Sequence, residues 1–248
     1  MPSVQDLALA SAEAGSADHA AADSRRHIGV FVPRGIEIRP ERLLRVMGYR
    51  EGGPVRPVVL RMASAVAEIT QQALAPIVHH RRVAITSRDE GGIGLPDGIS
   101  FRSPAFGKYI SECNEVIAFV LTLGRTFDNV EKNLMAGGRM LEAVLLEAAG
   151  SVAVEEATRI FTEHLAQQLH AQGLALSRRL APGYSFRVGD RKVDWPLEDQ
   201  KPLFAIFGQA PLPVELLESC AMTPKMSRTG LFGLRPTLPT AQQFDAKH

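Results

Sequence analysis

The chain is poor in the residues that usually announce a chemistry. It has two cysteines, Cys113 and Cys220, in unrelated contexts without metal-type spacing. Neither a disulfide framework nor a zinc-thiolate site can be built from them, and a reduced cytoplasmic setting is expected. Neither sign of charge dominates: the formal net charge is +1, so no field draws the whole molecule to nucleic acid or to an anionic membrane. No apolar run approaches the roughly 20 residues that span a bilayer. There is no nucleophile elbow, phosphate-binding Walker loop, H-E-x-x-H or paired C-x-x-C, and Gly91-Gly92-Ile93-Gly94 lacks the dinucleotide fingerprint. Self-contained hydrolysis and phosphoryl transfer lose support accordingly. His79 and His80 are adjacent and therefore face opposite ways on a strand or helix, which argues against a metal site.

What is present is a long chain with enough apolar content for a full core: 248 residues, 45% hydrophobic. Residues 1–26, rich in Ala, Ser and Asp, lack the apolar core of a secretion signal and read as a disordered leader. One body is expected over 27–234, with 235–248 as a flexible tail. Within that body, Ile28–Val32 is β-prone, Pro40–Gly48 reads as a short helix, and apolar spacing from Val58 to Ala75 predicts an amphipathic helix ended by Pro76. Val83–Thr86, Ile99–Arg102 and Val116–Thr122 read as strands, with Gly91-Gly92 and Pro96-Asp97-Gly98 as turns. Ser103–Ser111 and Thr126–Leu134 read as helices.

From Arg139 to about Gln172 there is no proline, and apolar residues recur near a period of 3.6, which predicts one long helix. Its centre, Ala148-Ala149-Gly150-Ser151, is small enough for another backbone or a ligand to approach. Beyond Gly173, Pro196–Phe207 reads as a helix, and Glu215–Leu217 and Thr229–Leu234 as strands. Helices and strands alternate irregularly, which argues for α+β.

The most informative stretch is Arg179-Leu180-Ala181-Pro182-Gly183-Tyr184, just past the long helix. It sets a fixed cation beside a permissive backbone corner and an aromatic edge, a combination suited to a small zwitterion carried on a ring. Arg179 alone could equally pair with a carbonyl, Tyr184 could be a core aromatic, and Glu218 and Ser219 could be turn residues. Trp195 reads as a packing anchor and Cys220 as a small apolar filler.

In this order, followed by Asp194-Trp195-Pro196-Leu197-Glu198-Asp199-Gln200-Lys201 and Leu217-Glu218-Ser219-Cys220-Ala221-Met222-Thr223-Pro224, the hexapeptide resembles the R-x-x-x-G-Y signature of the reactivation domain of cobalamin-dependent methionine synthase, in its stand-alone bacterial form. Leu43–Arg50, Glu115–Gly124 and Leu145–Ser151 resemble other motifs of that family, so the likeness covers roughly residues 36–234. The resemblance implies a twisted antiparallel sheet flanked by helices, one of them long. It implies S-adenosylmethionine binding by Arg179, Ala181, Pro182, Gly183 and Tyr184, with Glu218, Ser219 and Met222 as further pocket residues. Ser185–Val193 is an insertion relative to the family and is expected to reshape or cover the pocket. No cobalamin-binding D-x-H-x-x-G motif is present, so cobalamin would come on a corrinoid-binding methionine synthase or methyltransferase subunit, with a low-potential electron donor such as flavodoxin. The implied role is reductive remethylation of that partner's cob(II)alamin, without turnover by the chain alone. The alternatives are a docking scaffold that does not use S-adenosylmethionine, and an independent methyltransferase, which the missing glycine pattern disfavours.

Overall fold

The computed structural model describes residues 27–237. The leader assigned to residues 1–26, and residues 238–248 of the tail, lie outside them. The strands are β1 (Ile28–Phe31), β2 (Ile77–Ala84), β3 (Ser87–Asp89), β4 (Gly92–Gly94), β5 (Ser100–Arg102), β6 (Glu115–Thr122), β7 (Leu174–Leu176), β8 (Ser185–Val188), β9 (Arg191–Asp194), β10 (Glu215–Leu216), β11 (Met222–Thr223) and β12 (Ser227–Pro236). The helices are α1 (Pro40–Val46), α2 (Pro57–Ala73), α3 (Pro104–Tyr109), α4 (Arg125–Ala136), α5 (Met140–His170) and α6 (Gln200–Ala205). The architecture is α+β, and all pairings in its main sheet, ordered β1-β2-β6-β12-β7, are antiparallel.

The sheet has a core on each face, and β6 shows why. Ile117, Phe119 and Leu121 point into a core shared with α1, α2, α4 and α5, while Val116, Ala118 and Val120 point into a second one with Phe106, Leu203 and Trp195. A strand covered on both sides carries a continuous apolar run, which is how Glu115–Thr122 reads. Helix α5 spans 31 residues, roughly 46 Å at 1.5 Å per residue. It is buried over a wide arc, from Leu145, Leu146 and Ala149 round to Val152, Ala153 and Phe161, because sheet, α2 and α4 all close on it. Among the described residues, no helix is long and apolar enough to cross a membrane.

Several local readings change. Strand β2 starts at Ile77: the polar run His79-His80-Arg81-Arg82 hides a strand whose alternate residues face opposite sides of the sheet, with His79 Nδ1 and Arg81 Nε buried without a hydrogen-bond partner. Arg82 pairs with Glu115 and bonds Gln172, whereas Arg81 reaches across to the Ile206 carbonyl. Of the expected turn Gly91-Gly92, Gly92 instead opens Gly92–Gly94, the middle strand of the β3-β4-β5 sheet. Pro196–Phe207 is not one helix but a 3-10 turn at Leu197–Asp199 followed by α6. Leu174–Leu176 is an edge strand held by β12, which runs two residues past Leu234.

His80 sits against the ring of Phe161, 5.4 Å between centroids, and its imidazole lies over Gly29 where a side chain would collide with it. Burial, reinforced by the neighbouring His164, His79 and His27, pushes its pKa down from 6.5 to about 4. A histidine held neutral in the fold leaves the unfolded chain binding more protons, so its contribution is intact above pH 6.5 and is lost as pH falls towards 4. We expect wild type to lose about 1–3 kcal/mol more stability than His80→Gln over that interval. Urea titrations of both proteins at several pH values measure the difference.

Candidate functional site

The segment after β7 is fixed to the sheet at one point. Leu180 and Leu231 exchange backbone hydrogen bonds of 2.9 and 2.8 Å, so Arg179 and Ala181 leave β12 on either side of a bridge. Ala181–Tyr184 then makes a β-turn, with the Tyr184 N–H donating to the Ala181 carbonyl at 3.3 Å. Pro182 occupies its second position and Gly183, at φ 81°, its third, an arrangement that needs a residue tolerating positive φ there. The turn is tied on its far side to Trp195: Gly183 N–H donates to the Trp195 carbonyl (2.7 Å), and Trp195 N–H to that of Tyr184 (3.0 Å). Trp195 is buried edge-on between Phe101 and Phe106, and its indole N–H donates to Asp199 at 2.6 Å. Burial raises the Asp199 pKa, and that hydrogen bond opposes the rise.

Arg179 lies half-buried across β12. Gly230 makes this possible, since a Cβ there would meet the Phe119 ring at 2.6 Å and Arg179 Cγ at 3.1 Å. The guanidinium donates to the Thr229 carbonyl (3.2 Å) and lies 5.2 Å from the centroid of the Tyr184 ring. Burial lowers its pKa, the nearby Arg228 lowers it further, and Tyr184 favours the charged form. Tyr184 itself is exposed and presents its ring outward.

In front of that ring opens a cleft of about 200 Å³. Ser151 and Val154 of α5 line one side, and Tyr184 and Gln200 line another. Met222 and Lys225–Thr229 complete it. The small patch of α5 divides in function. Gly150 packs, since a Cβ there would strike Phe127 at 2.6 Å and Met226 at 2.8 Å, while Ser151 faces the cleft. Arg228 donates to Glu155 at 2.6 Å and to Thr158 at 3.3 Å, and this bond holds Glu155 below the ordinary carboxylate range. Lys225 is held by Glu131 and Glu147 at 2.9 and 3.1 Å.

Of the residues expected at the site, Tyr184 and Met222 line the cleft; Arg179 is not among the lining residues but lies behind two of them, against the Thr229 carbonyl and the Tyr184 ring, and Ala181, Pro182 and Gly183 form the turn that presents Tyr184. Glu218 and Ser219 are exposed in the loop between β10 and β11. Ser219 Oγ accepts from the Ala221 N–H at 3.4 Å, a turn role, and neither residue is among those lining the cleft. Ser185–Val193 is the β8-β9 hairpin. It leans on α3, where Lys108 and Tyr109 both donate to the Arg187 carbonyl at 2.8 Å, and none of its residues is among those lining the cleft.

Sequence reasoning missed Arg228, Glu155 and Gln200. For Arg228 a signal exists: it shares a face of β12 with Gly230, Phe232 and Leu234, so period-2 counting puts a charge on an otherwise buried face. Gln200, buried at the start of α6, accepts from the Thr229 hydroxyl at 2.9 Å, a contact no local pattern reveals.

No protein-family model and no curated protein matches the chain. By fold it is an α+β domain of the reactivation-domain type. Among solved structures it is similar to a crystal structure of the MetH reactivation domain bound to AdoHcy, with a TM-score of 0.58, 15% identity, and coverage of 90% of this chain and 81% of that one.

The two turn glycines separate the site from its surroundings. Gly183→Ala should cost about 1–3 kcal/mol, from positive φ and from Leu197 at 3.0 Å, and should shift the emission of Trp195. Gly189→Ala, at the hairpin tip with φ 57° and open space around it, should cost less and leave that emission unchanged. Denaturation followed by tryptophan fluorescence distinguishes the two.

Proposed function

We propose that the chain binds S-adenosylmethionine at this cleft and serves as a cytoplasmic reactivation subunit for a separate corrinoid protein, a cobalamin-dependent methionine synthase or a related methyltransferase. The observation that carries the reading is Arg179, seated on Gly230 and set 5.2 Å from the ring of Tyr184, which lines the cleft, in a fold similar to that of a domain crystallised with AdoHcy.

The residues fit such a ligand in stated ways. A guanidinium matches a carboxylate in a planar, bidentate fork, and Arg179 would hold the methionine carboxylate. The N–H groups of Gly183 and Tyr184 are already used, by the carbonyls of Trp195 and Ala181. Adenosine recognition along Ala181–Tyr184 falls to the Ala181 N–H, to carbonyl oxygens, which accept twice, and to the Tyr184 ring. At about 200 Å³ the cleft is smaller than the roughly 300–1,000 Å³ of enclosing sites. The ligand would lie partly outside it, which suits a methyl group that must reach another protein.

In this reading the bound groups would supply the chemistry: S-adenosylmethionine the sulfonium methyl, the partner's corrinoid the acceptor for it, and a donor such as flavodoxin the electron, with S-adenosylhomocysteine as the product left on the chain. The chain's own part is to hold the ligand and aim it, which needs no acid or base. A second reading, a docking scaffold without the ligand, is favoured by one observation. Met140, Leu141 and Val144 stand exposed on the first turns of the helix that lines the cleft at Ser151.

Calorimetric titration with S-adenosylmethionine separates the readings. Wild type should bind, and Arg179→Ala should lose about 1.5–3 kcal/mol, ten- to a hundredfold in affinity. Equal affinities would remove Arg179 from the site, and no heat with either would leave the scaffold. Added to a corrinoid protein held as cob(II)alamin, with a reductant and S-adenosylmethionine, the chain should produce the methylcobalamin absorption spectrum, whereas with homocysteine alone in place of that partner it should show no turnover. Methylation of homocysteine by the isolated chain would overturn the assignment.

A further inference from the structure

Arg228 is the charge at the cleft that sequence and fold leave unexplained. Its side chain is only 16% exposed, and Glu155, its carboxylate partner, is 62% exposed. Both of its recorded bonds, to Glu155 and to Thr158, fall on the same nitrogen, Nη1. Among the described residues no hydrogen bond falls on the other edge of the fork. Two guanidiniums, those of Arg179 and Arg228, thus stand close beside one exposed carboxylate, while Lys225 is already taken by two glutamates. A cation largely withdrawn from water and held by a largely exposed carboxylate is poised to exchange partners, because such a half-exposed pair holds only weakly.

Resting on the reading of the cleft given above, we infer that Arg228 is a second carboxylate-binding residue there, and that Glu155 occupies it as an internal stand-in until a ligand carboxylate takes its place. The exchange breaks one charge-assisted hydrogen bond and forms another, with no net change of charge on the chain. The ligand carboxylate can use the free edge of the Arg228 fork as well as Nη1, which the geometry of Glu155 does not. Glu155 swings into water, where it is already largely solvated. The cleft therefore selects ligands that carry a carboxylate over those that share only the nucleoside, and Glu155 sets the threshold for entry.

Three variants and three probes test this: wild type, Arg228→Ala and Glu155→Gln, each titrated calorimetrically with S-adenosylmethionine, with 5′-methylthioadenosine, which lacks the amino-acid end, and with L-methionine. Arg228→Ala should weaken S-adenosylmethionine at least tenfold and leave 5′-methylthioadenosine unchanged, a control that also shows the cleft is folded. Glu155→Gln should bind S-adenosylmethionine several-fold more tightly. Unchanged affinity in Arg228→Ala, or weaker binding in Glu155→Gln, overturns the exchange; the latter would mean that Glu155 contacts the ligand. If neither nucleoside binds wild type, the nucleoside reading falls by itself. Methionine binding that Arg228→Ala abolishes and Glu155→Gln strengthens would still uphold the exchange, and methionine binding absent or indifferent to both substitutions would end it.

Discussion

The pairing of β12 with β6, in register from Ser227 opposite Thr122 to Leu234 opposite Glu115, is the constraint on which the site depends. One strand supplies the carbonyl that Arg179 bonds, the glycine over which Arg179 lies, the bridge that aligns Leu180, and Arg228 itself. A one-residue slip would turn Arg228 and Gly230 to the opposite face and bring Thr229 and Leu231 into their places. The slip is resisted because both faces of β12 are committed. Phe232 and Leu234 lie in one core, and Leu231 lies in the other.

Position in the chain and position in the site are therefore decoupled. Arg179 and Arg228 are 49 residues apart, yet the charge of Arg228 helps to lower the pKa of Arg179. Local sequence determines the turn that carries Tyr184, through Pro182 and Gly183, but what the turn faces is determined by an element from the end of the described chain.

This explains what could be read in advance. Elements with a clear period were legible: α2, α5 and β6 follow apolar spacing, and Arg179 with Tyr184 was legible as a unit because its six residues are contiguous. β2 was not, since four successive polar residues mask an alternation that only its neighbours satisfy. The direction of Ser185–Val193 was not legible for a related reason. A hairpin's two-residue turn is a local signal, but the direction in which the hairpin leans is set by α3, through Lys108, Tyr109 and the buried Phe186. Gln200 and Glu155 were invisible because their meaning lies wholly in contacts across the fold.

The two-sided burial of β6 has a consequence for how the cleft responds to force. Backbone ladders covered on both faces open only with the whole molecule, whereas segments fastened at single points open at much lower cost. Arg228 and Thr229 are mounted on the first kind of support. Tyr184 is mounted on the second, a four-residue turn suspended between one bridge at Leu231 and two hydrogen bonds at Trp195. The cleft thus has an anvil on one side and a leaf spring on the other. A shift of the turn would alter the cleft on the Tyr184 side while leaving Arg228 seated on its ladder.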